Sequence, residues 1–577
     1  MERRTLWAIL LMMAIAIAPA FFIKRHAAAP VTRAAGSPVS AADSMVASSS
    51  TPVRTDSASS VSAPAASVPA VPAAPDSAAA DTAAPASAVT VTSDLYTYTV
   101  STRGGRIVSA RLNRYKSLAP SEKDLPVELV QSGSSLLDLA LVSGGDTLRV
   151  ANWNFTPSAT ALTVSGPTPL TLTAAQGGYQ VELTYTFLPS YQVAVSGHIT
   201  GLGPNGGLLL VGVGDGLHNA EADSAQNVHA FAFVTKDTEA HRHDFSGLKA
   251  GVPTVVSGPF EWVAVKSKYF VASLFAFDST STTGRISGVT ALAPANAPKR
   301  SAVADVRATL PVTSAGNIQY LLYAGPMEHP RLAGIGHEFD DVNPYGWPGF
   351  RTVIRFFAVP VRWLLVAMHE KLGLAYGVAL ILFGIMVRVL LWPLNQKAMR
   401  SNMALQAVQP LVKAAQERYK DDPKKQQEEM FRLYKEHHVN PMGGCWPMLL
   451  PMPVLLALFF VFQYSIELRG ASFLWLPDLA SKDPFYILPI IMGLSMYVLS
   501  KVGQMGMETN AQMKMTTYIM PVFMTVIFLN FASGLNLYYA VSNIASIPQQ
   551  WLLAKERLRR VPATKPRQPQ PKPARPA

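Results

Sequence analysis

Arg388 stands inside one of the most apolar stretches of the chain, Gly377-Val-Ala-Leu-Ile-Leu-Phe-Gly-Ile-Met-Val-Arg388-Val-Leu-Leu-Trp392-Pro393. A guanidinium keeps its proton at physiological pH and costs about 2.5–3.5 kcal/mol at the centre of a membrane helix, so something must hydrate or pair it. Two arrangements satisfy that need. The side chain can snorkel to an interface near Trp392, or it can face a water-filled recess between helices. The last two apolar stretches carry Thr516, Thr517, Thr525, Asn530, Ser533, Asn536, Tyr538, Tyr539, Ser542, Asn543, Ser546 and Gln549. Polar groups in hydrocarbon need partners or water. They could join helices by hydrogen bonds alone, but together with Arg388 they argue for an aqueous recess.

Other candidate chemistry is sparse. His229, Glu239, His241 and His243 follow no standard ligand spacing and read as a solvated loop, so no metal site is expected. Cys445 is the single cysteine, which excludes an internal disulfide. No phosphate-binding glycine loop is evident, and neither a cofactor nor a catalytic residue is expected. Methionines crowd the later apolar stretches at Met448, Met452, Met513, Met515, Met520 and Met524. Flexible thioethers fill core gaps, and they also suit surfaces that accept varied apolar partners.

The elements that must position Arg388 follow from composition. Of 577 residues 49% are hydrophobic, concentrated in the first 23 and again over 372–553, in runs long enough to span a bilayer. Five spans can be drawn there, at 372–392, 448–466, 485–502, 515–531 and 533–553. The run 6–23 could be a secretory signal with a weak cleavage site at Ala27-Ala28-Ala29, but its near-full span length and the intervening Lys24-Arg25 favour a sixth span, an N-terminal anchor within 1–26. Residues 27–88 are almost all Ala, Pro, Ser, Thr and Val, too poor in apolar bulk to offset chain entropy, and read as a disordered linker. Period-two alternation punctuated by Gly and Pro then predicts an all-β sandwich over 89–330.

Over 344–371 the period becomes helical. Phe350, Val353, Ile354, Phe357, Val361, Leu364, Leu365 and Met368 form one stripe with Arg351, Arg355 and Arg362 opposite, which predicts an amphipathic interfacial helix. The segment 395–440 holds an excess of Lys and Arg and reads as a cytoplasmic helical hairpin. Met399, Met403, Leu411, Ala415 and Tyr419 recur at helical spacing in its first helix, Met430, Leu433/Tyr434 and His437 do so in the second, and Asp422 and Pro423 start the second. The net charge of +12 is partly crowded into 554–577, a basic disordered tail suited to anionic partners such as lipid headgroups or RNA. Placing hairpin and tail on the cytoplasmic side puts the N-terminus inside and the β domain outside.

Four motifs on these elements carry a resemblance. Val387-Arg388-Val-Leu-Leu-Trp-Pro393-Leu394, Val439-Asn440-Pro441-Met-Gly443-Gly444-Cys445-Trp-Pro447, Pro484-Phe-Tyr486-Ile-Leu488-Pro489-Ile490 and Ser533-Gly534-Leu535-Asn-Leu537-Tyr538-Tyr539-Ala-Val541-Ser542-Asn543 closely resemble the bacterial YidC membrane-protein insertase family. The match is highly specific over 344–553 and looser upstream, where Glu261-Trp262, Lys268-Tyr269-Phe270 and Tyr323-Ala-Gly325-Pro326 resemble the large periplasmic β-sandwich of the six-span form.

The resemblance implies an inner-membrane insertase and chaperone, not an enzyme: a bundle of five core transmembrane helices plus an anchor, a periplasmic β domain and a cytoplasmic hairpin. It implies that Arg388, with Tyr539, Asn543 and Thr517, lines a hydrophilic groove that transiently holds the polar segment of an incoming protein. Its apolar helix would slide along Met452, Leu456, Phe459, Met520 and Met524. Lys413, Asp422, Pro423 and Tyr434 mark the hairpin that guides arrival. The implied partners are nascent membrane proteins, the Sec translocon, the ribosome, the signal-recognition particle and its receptor, and membrane lipids, with the chain working as a monomer. Two positions depart from the family pattern. Gly384 replaces a hydroxyl residue of some members and Pro451 a groove-facing glutamine of many, so the groove is expected to be hydrated differently.

Two other functions compete on sequence grounds. A transporter predicts further intramembrane charges and internal repeats, neither of which is apparent. A β domain that does the work, with the spans as anchor, would not require five extra spans of this polarity.

Overall fold

The computed structural model describes residues 87–276, 285–297, 302–346, 350–420, 422–437, 452–506 and 511–560. The expected anchor at 6–23, nearly all of the linker, Pro451 and the motif 439–447 lie outside them.

Among the described residues twenty strands run from Ala88 to Pro326 in three sheets of five, nine and six strands. The alternation seen in sequence becomes alternation of burial: Tyr179–Phe187 places Val181, Leu183, Tyr185 and Phe187 inward. That strand pairs antiparallel with Gln192–Thr200, which in turn pairs with Asn317–Pro326. Two tyrosines of this core donate their hydroxyls to backbone carbonyls, Tyr98 to Ala324 O at 2.7 Å and Tyr185 to Gly105 O at 2.7 Å. The domain extends past the expected end at 330. A helical turn over Phe339–Val342 drops Phe339 against Trp262 and Phe275, with ring centroids 5.2 and 4.7 Å apart.

Among the described residues seven principal helices follow: α1 (Arg351–Leu372), α2 (Tyr376–Arg418), α3 (Pro423–Glu436), α4 (Met452–Tyr464), α5 (Ile487–Gly503), α6 (Met520–Phe528, entered through a π-helical turn at Met515–Ile519) and α7 (Ser533–Arg560). Arg351–Leu372 and Tyr376–Gln396 are long and apolar enough to cross a membrane, while Pro453–Tyr464, Ile487–Gly503 and Met515–Phe528 are shorter. The expected boundary near 392 does not exist as a break, because α2 runs on unbroken from apolar stretch into hairpin. The hairpin core is small. Val408 and Val412 of α2 are buried against Met430, Leu433 and Tyr434 of α3, whereas Leu411 of the helical repeat is exposed. Asp422 accepts from Lys425 N at 3.2 Å ahead of Pro423 at the first turn of α3.

Three expectations need correcting. The apolar stripe of α1 is divided: Ile354, Ala358, Val361 and Leu365 are buried, while Phe350 and Val353 point outward. Its basic face is not solvated as a whole, since Arg362 is buried in an ion pair with Glu467 and Arg355 reaches Asp340 at 2.6 Å. Residues 554–560, expected in a disordered tail, are helical. Helix α7 continues to Arg560, and Arg557 donates to Gly503 O at 3.0 Å and Met505 O at 3.1 Å, satisfying carbonyls that the end of α5 leaves unpaired.

The β domain and the helices share a polar seam. Arg469, after α4, meets Glu221 at 2.8 Å and donates to Lys116 O and Ala220 O at 2.8 and 2.9 Å. Burial raises the Glu221 carboxyl above its usual range, with Arg469 opposing. Lys266, 1% exposed, donates to Asn343 Oδ1 at 2.6 Å and lies 5.5 Å from the Tyr464 ring centroid. Burial lowers its ammonium well below the ordinary lysine range.

Candidate functional site: a polar recess inside the helical bundle

The helices are apolar outside and polar within. Ile385, Met386, Val389 and Leu390 of α2, Ile490 and Leu494 of α5, Val522 and Val526 of α6 and Ile544 and Leu552 of α7 are exposed. Ser495, Thr517, Asn536, Ser542, Asn543, Ser546 and Gln549 are buried. That inversion suits hydrocarbon surroundings.

Arg388 faces into this interior. A cavity of about 60 Å³ is lined by Val387, Arg388 and Leu391 of α2, Val454 and Leu455 of α4, and Tyr538, Tyr539, Ser542 and Asn543 of α7. It has room for a few water molecules, and its walls provide the polar partners they need. Arg388 is half-buried and has neither an ion-pair nor a hydrogen-bond partner among the described residues. Helical periodicity explains the lining. On α2 residues 387, 388 and 391 share one face, as do 538, 539, 542 and 543 on α7.

Gly384 lies where α2 approaches α7. A Cβ there would lie 3.3 Å from Val541 Cγ1, 3.6 Å from Tyr538 Cδ2 and 3.7 Å from Ser542 Oγ. Tyr538 packs on Phe383 at 5.9 Å between centroids, and Tyr539 meets Phe528 edge-on at 4.9 Å. Asn543 Nδ2 donates to Ser495 Oγ at 3.1 Å, and that hydroxyl donates onward to Met492 O at 2.7 Å. Gln549 Nε2 donates to Trp392 O at 3.0 Å, tying α7 to α2.

Three of the four expected groove residues, Arg388, Tyr539 and Asn543, meet at the cavity. Thr517 does not. It is buried on the π-helical turn and donates to Gln504 Oε1 at 2.6 Å near the end of α5. On α4 the wall is built by Val454 and Leu455, one position away from the expected Leu456; Leu456 and Phe459 are half-buried, with Phe459 edge-on to Phe531 at 5.6 Å. The side chain of Met452 lies outside the described residues. Met520 and Met524 are half-buried on α6. In sequence Tyr538 and Ser542 stood out only among the polar residues that argue for a recess, their spacing to 539 and 543 being the available signal, and Val454 and Leu455 were not singled out. Lys413 of the hairpin is exposed and Tyr434 is half-buried.

Comparison with known proteins adds an independent line. Residues 367–560 match the family described as 60Kd inner membrane protein, and residues 88–364 match the YidC periplasmic domain. The membrane protein insertase YidC of Chloroherpeton thalassium is 31% identical over 500 residues, covering 81% of this chain and 82% of that protein. That of Vibrio cholerae is 30% identical over 495 residues, covering 83% and 88%. Among solved structures, an active YidC insertase crystal structure with the first transmembrane domain resolved covers 81% of this chain and 94% of its own, at 17% identity and a TM-score of 0.33.

Proposed function

The chain belongs to the YidC family of membrane protein insertases, which are not enzymes, and on that premise we propose that it integrates nascent proteins into the bacterial inner membrane by lodging their polar segment beside Arg388. The observation that carries this reading is a cation in a polar cavity inside the bundle with no acidic partner among the described residues. An acidic segment entering from the cytoplasm is the counter-charge such a site lacks. In a partly hydrated, low-dielectric recess the attraction is stronger than in bulk water. Carrying the segment part-way shortens the apolar distance left to cross. Burial of the substrate's apolar helix and the membrane potential, about 2.3 kcal/mol per charge per 100 mV, then drive completion without a nucleotide.

In this reading Tyr539 and the half-buried Leu456, Phe459, Met520 and Met524 meet the apolar part of the substrate, and Asn543 acts through Ser495 to hold α7 against α5. Closure on the β-domain side is supported by two tight contacts. A Cβ on Gly377 would lie 2.1 Å from the Phe473 ring, and one on Gly534 would lie 2.4 Å from Phe462. The β domain is periplasmic, both termini are cytoplasmic, and the anchor at 6–23 and the helices α2, α4, α5, α6 and α7 span the membrane. The basic hairpin and tail receive ribosome, signal-recognition particle and receptor, and the chain works as a monomer, alone or beside the Sec translocon.

The test is insertion of a small single-span protein with an acidic N-terminus into liposomes holding the purified chain. Wild type and Arg388→Lys are expected to insert it and Arg388→Ala to fail. Equal activity of Arg388→Ala would remove Arg388 from the mechanism for that substrate. Solute flux without protein-dependent insertion would replace the reading with a transporter.

A further inference from the structure

The loop between α4 and α5 is tied down on several sides. Phe473 and Leu476 exchange backbone hydrogen bonds of 2.9 Å in both directions, and Phe473 lies over Gly377 at the start of α2. Asp478 Oδ1 accepts from Gly470 N at 3.0 Å and Ala480 N at 2.9 Å. Leu479 O and Ser481 O accept from Gly534 N and Ser533 N at the start of α7, at 2.9 and 2.7 Å. Lys482 reaches Asp223 of the β domain at 3.1 Å. The loop is therefore wedged between the β domain and the helix ends.

Against that background Leu474 is anomalous. Its φ is +55°, in the left-handed region where a leucine is unfavourable and glycine is not, and its side chain is 76% exposed. Backbone and water both disfavour leucine at this tip. At the other end Tyr486 has φ +58°, held by the fully buried Asp483, which accepts from Phe485 N at 3.0 Å and Leu488 N at 2.7 Å. This geometry leaves Phe485 64% exposed. Strain that persists in a tightly held loop points to a use for the side chains it presents.

Phe485 leads directly into the apolar outer face of α5, where Ile487, Ile490 and Leu494 are exposed. Helix α1, joined to this loop through the ion pair of Arg362 with Glu467, exposes Phe356 and Trp363. We propose that Leu474 and Phe485 seat the loop in lipid, at the headgroup and acyl boundary of the periplasmic leaflet, extending the lipid-facing surface of α5 beyond its helix. Apolar tips on a rigid loop beside a bilayer gain by burial what they lose in conformation. The loop then locks the β domain and the starts of α2 and α7 at one depth.

This rests on the membrane placement of α5, and the experiment separates the two. In a Cys445→Ser background that retains insertion, single cysteines at Leu474→Cys, Ile490→Cys and Leu125→Cys carry an environment-sensitive fluorophore in proteoliposomes. Quenching is read with lipids spin-labelled near the headgroup and with aqueous iodide. Leu125 is an exposed β-domain position. We expect the Leu474 probe to be quenched at least several-fold more by lipid than by iodide, as at Ile490, and the Leu125 probe to show the reverse. Iodide quenching at Leu474 with lipid quenching at Ile490 overturns the seat alone. Iodide quenching at both overturns the membrane placement of α5. No quenching by either at Leu474 means that protein covers it, which also overturns the proposal.

Discussion

The guanidinium of Arg469 lies 2.8 Å from the carboxylate of Glu221, with the two side chains 5% and 9% exposed, and this pair joins the loop after α4 to the β domain across 248 positions of sequence. Removing one member of a buried pair leaves the other charge uncompensated. Glu221→Ala or Arg469→Ala should each lower stability by about 3–5 kcal/mol, whereas replacing both with apolar residues of similar volume should be far milder. Thermal unfolding of the four proteins in detergent, analysed as a double-mutant cycle, checks this. Additive single effects would show that the pair is not an energetic unit.

Close contact of α4 with α7 requires the absence of a side chain at Gly534, where a Cβ would sit 2.4 Å from Phe462 Cε1. Phe462 is fully buried and cannot swing away freely. Gly534→Ala is expected to destabilise by about 1–3 kcal/mol through overpacking. Adding Phe462→Leu should recover part of that loss, and chemical denaturation of the single and double variants measures it. A double variant no more stable than Gly534→Ala alone would locate the strain elsewhere.

The Asn543 amide supplies the second hydrogen bond of the Ser495 hydroxyl, whose proton is already given to Met492 O. Asn543→Ala leaves that buried oxygen lacking a donor and should lower stability by about 1–3 kcal/mol. Asn543→Ala and Ser495→Ala together should lose less than the sum of the two single losses. Equality with the sum, in denaturant titrations, would argue that Asn543 acts on another partner.

In the β domain, His243 stacks on Phe233 at 4.5 Å. Burial lowers its imidazole below the ordinary value of 6.5, with His241 adding to the shift and Asp244 opposing it. The folded protein thus resists a proton that the unfolded chain accepts near 6.5. Stability from this group is present above about pH 6.5 and is lost as pH falls below it toward the lower, folded value. The melting temperature should drop between pH 7.5 and 5.5, and His243→Phe should show a smaller drop. An unchanged drop in that variant would assign the acid sensitivity to other groups.

Much of the architecture is carried by local periodicity. Alternation between 89 and 330 determined that the domain is built of strands, because a pleated strand with one buried face needs a period of two, and Tyr179–Phe187 follows it residue by residue. Long apolar runs determined helices α2, α4, α5 and α7 to within a few residues at most of their ends, and the polar residues of α7 together with Arg388 marked an interior that is not hydrocarbon. Periodicity ranks the faces of one helix, but it does not say which helix lies opposite. Only the packing decided that Val454 and Leu455 line the recess, that Thr517 turns to Gln504, and that Arg362 and Arg557 leave the basic surface to pair with Glu467 and with the carbonyls ending α5. The seam of Lys266, Asn343, Arg469 and Glu221 was likewise invisible in sequence, because its members come from distant segments and each alone reads as an ordinary surface residue. Burial of such charges becomes tolerable only when folding brings their hydrogen-bonding partners to them, and that is a property of the tertiary structure.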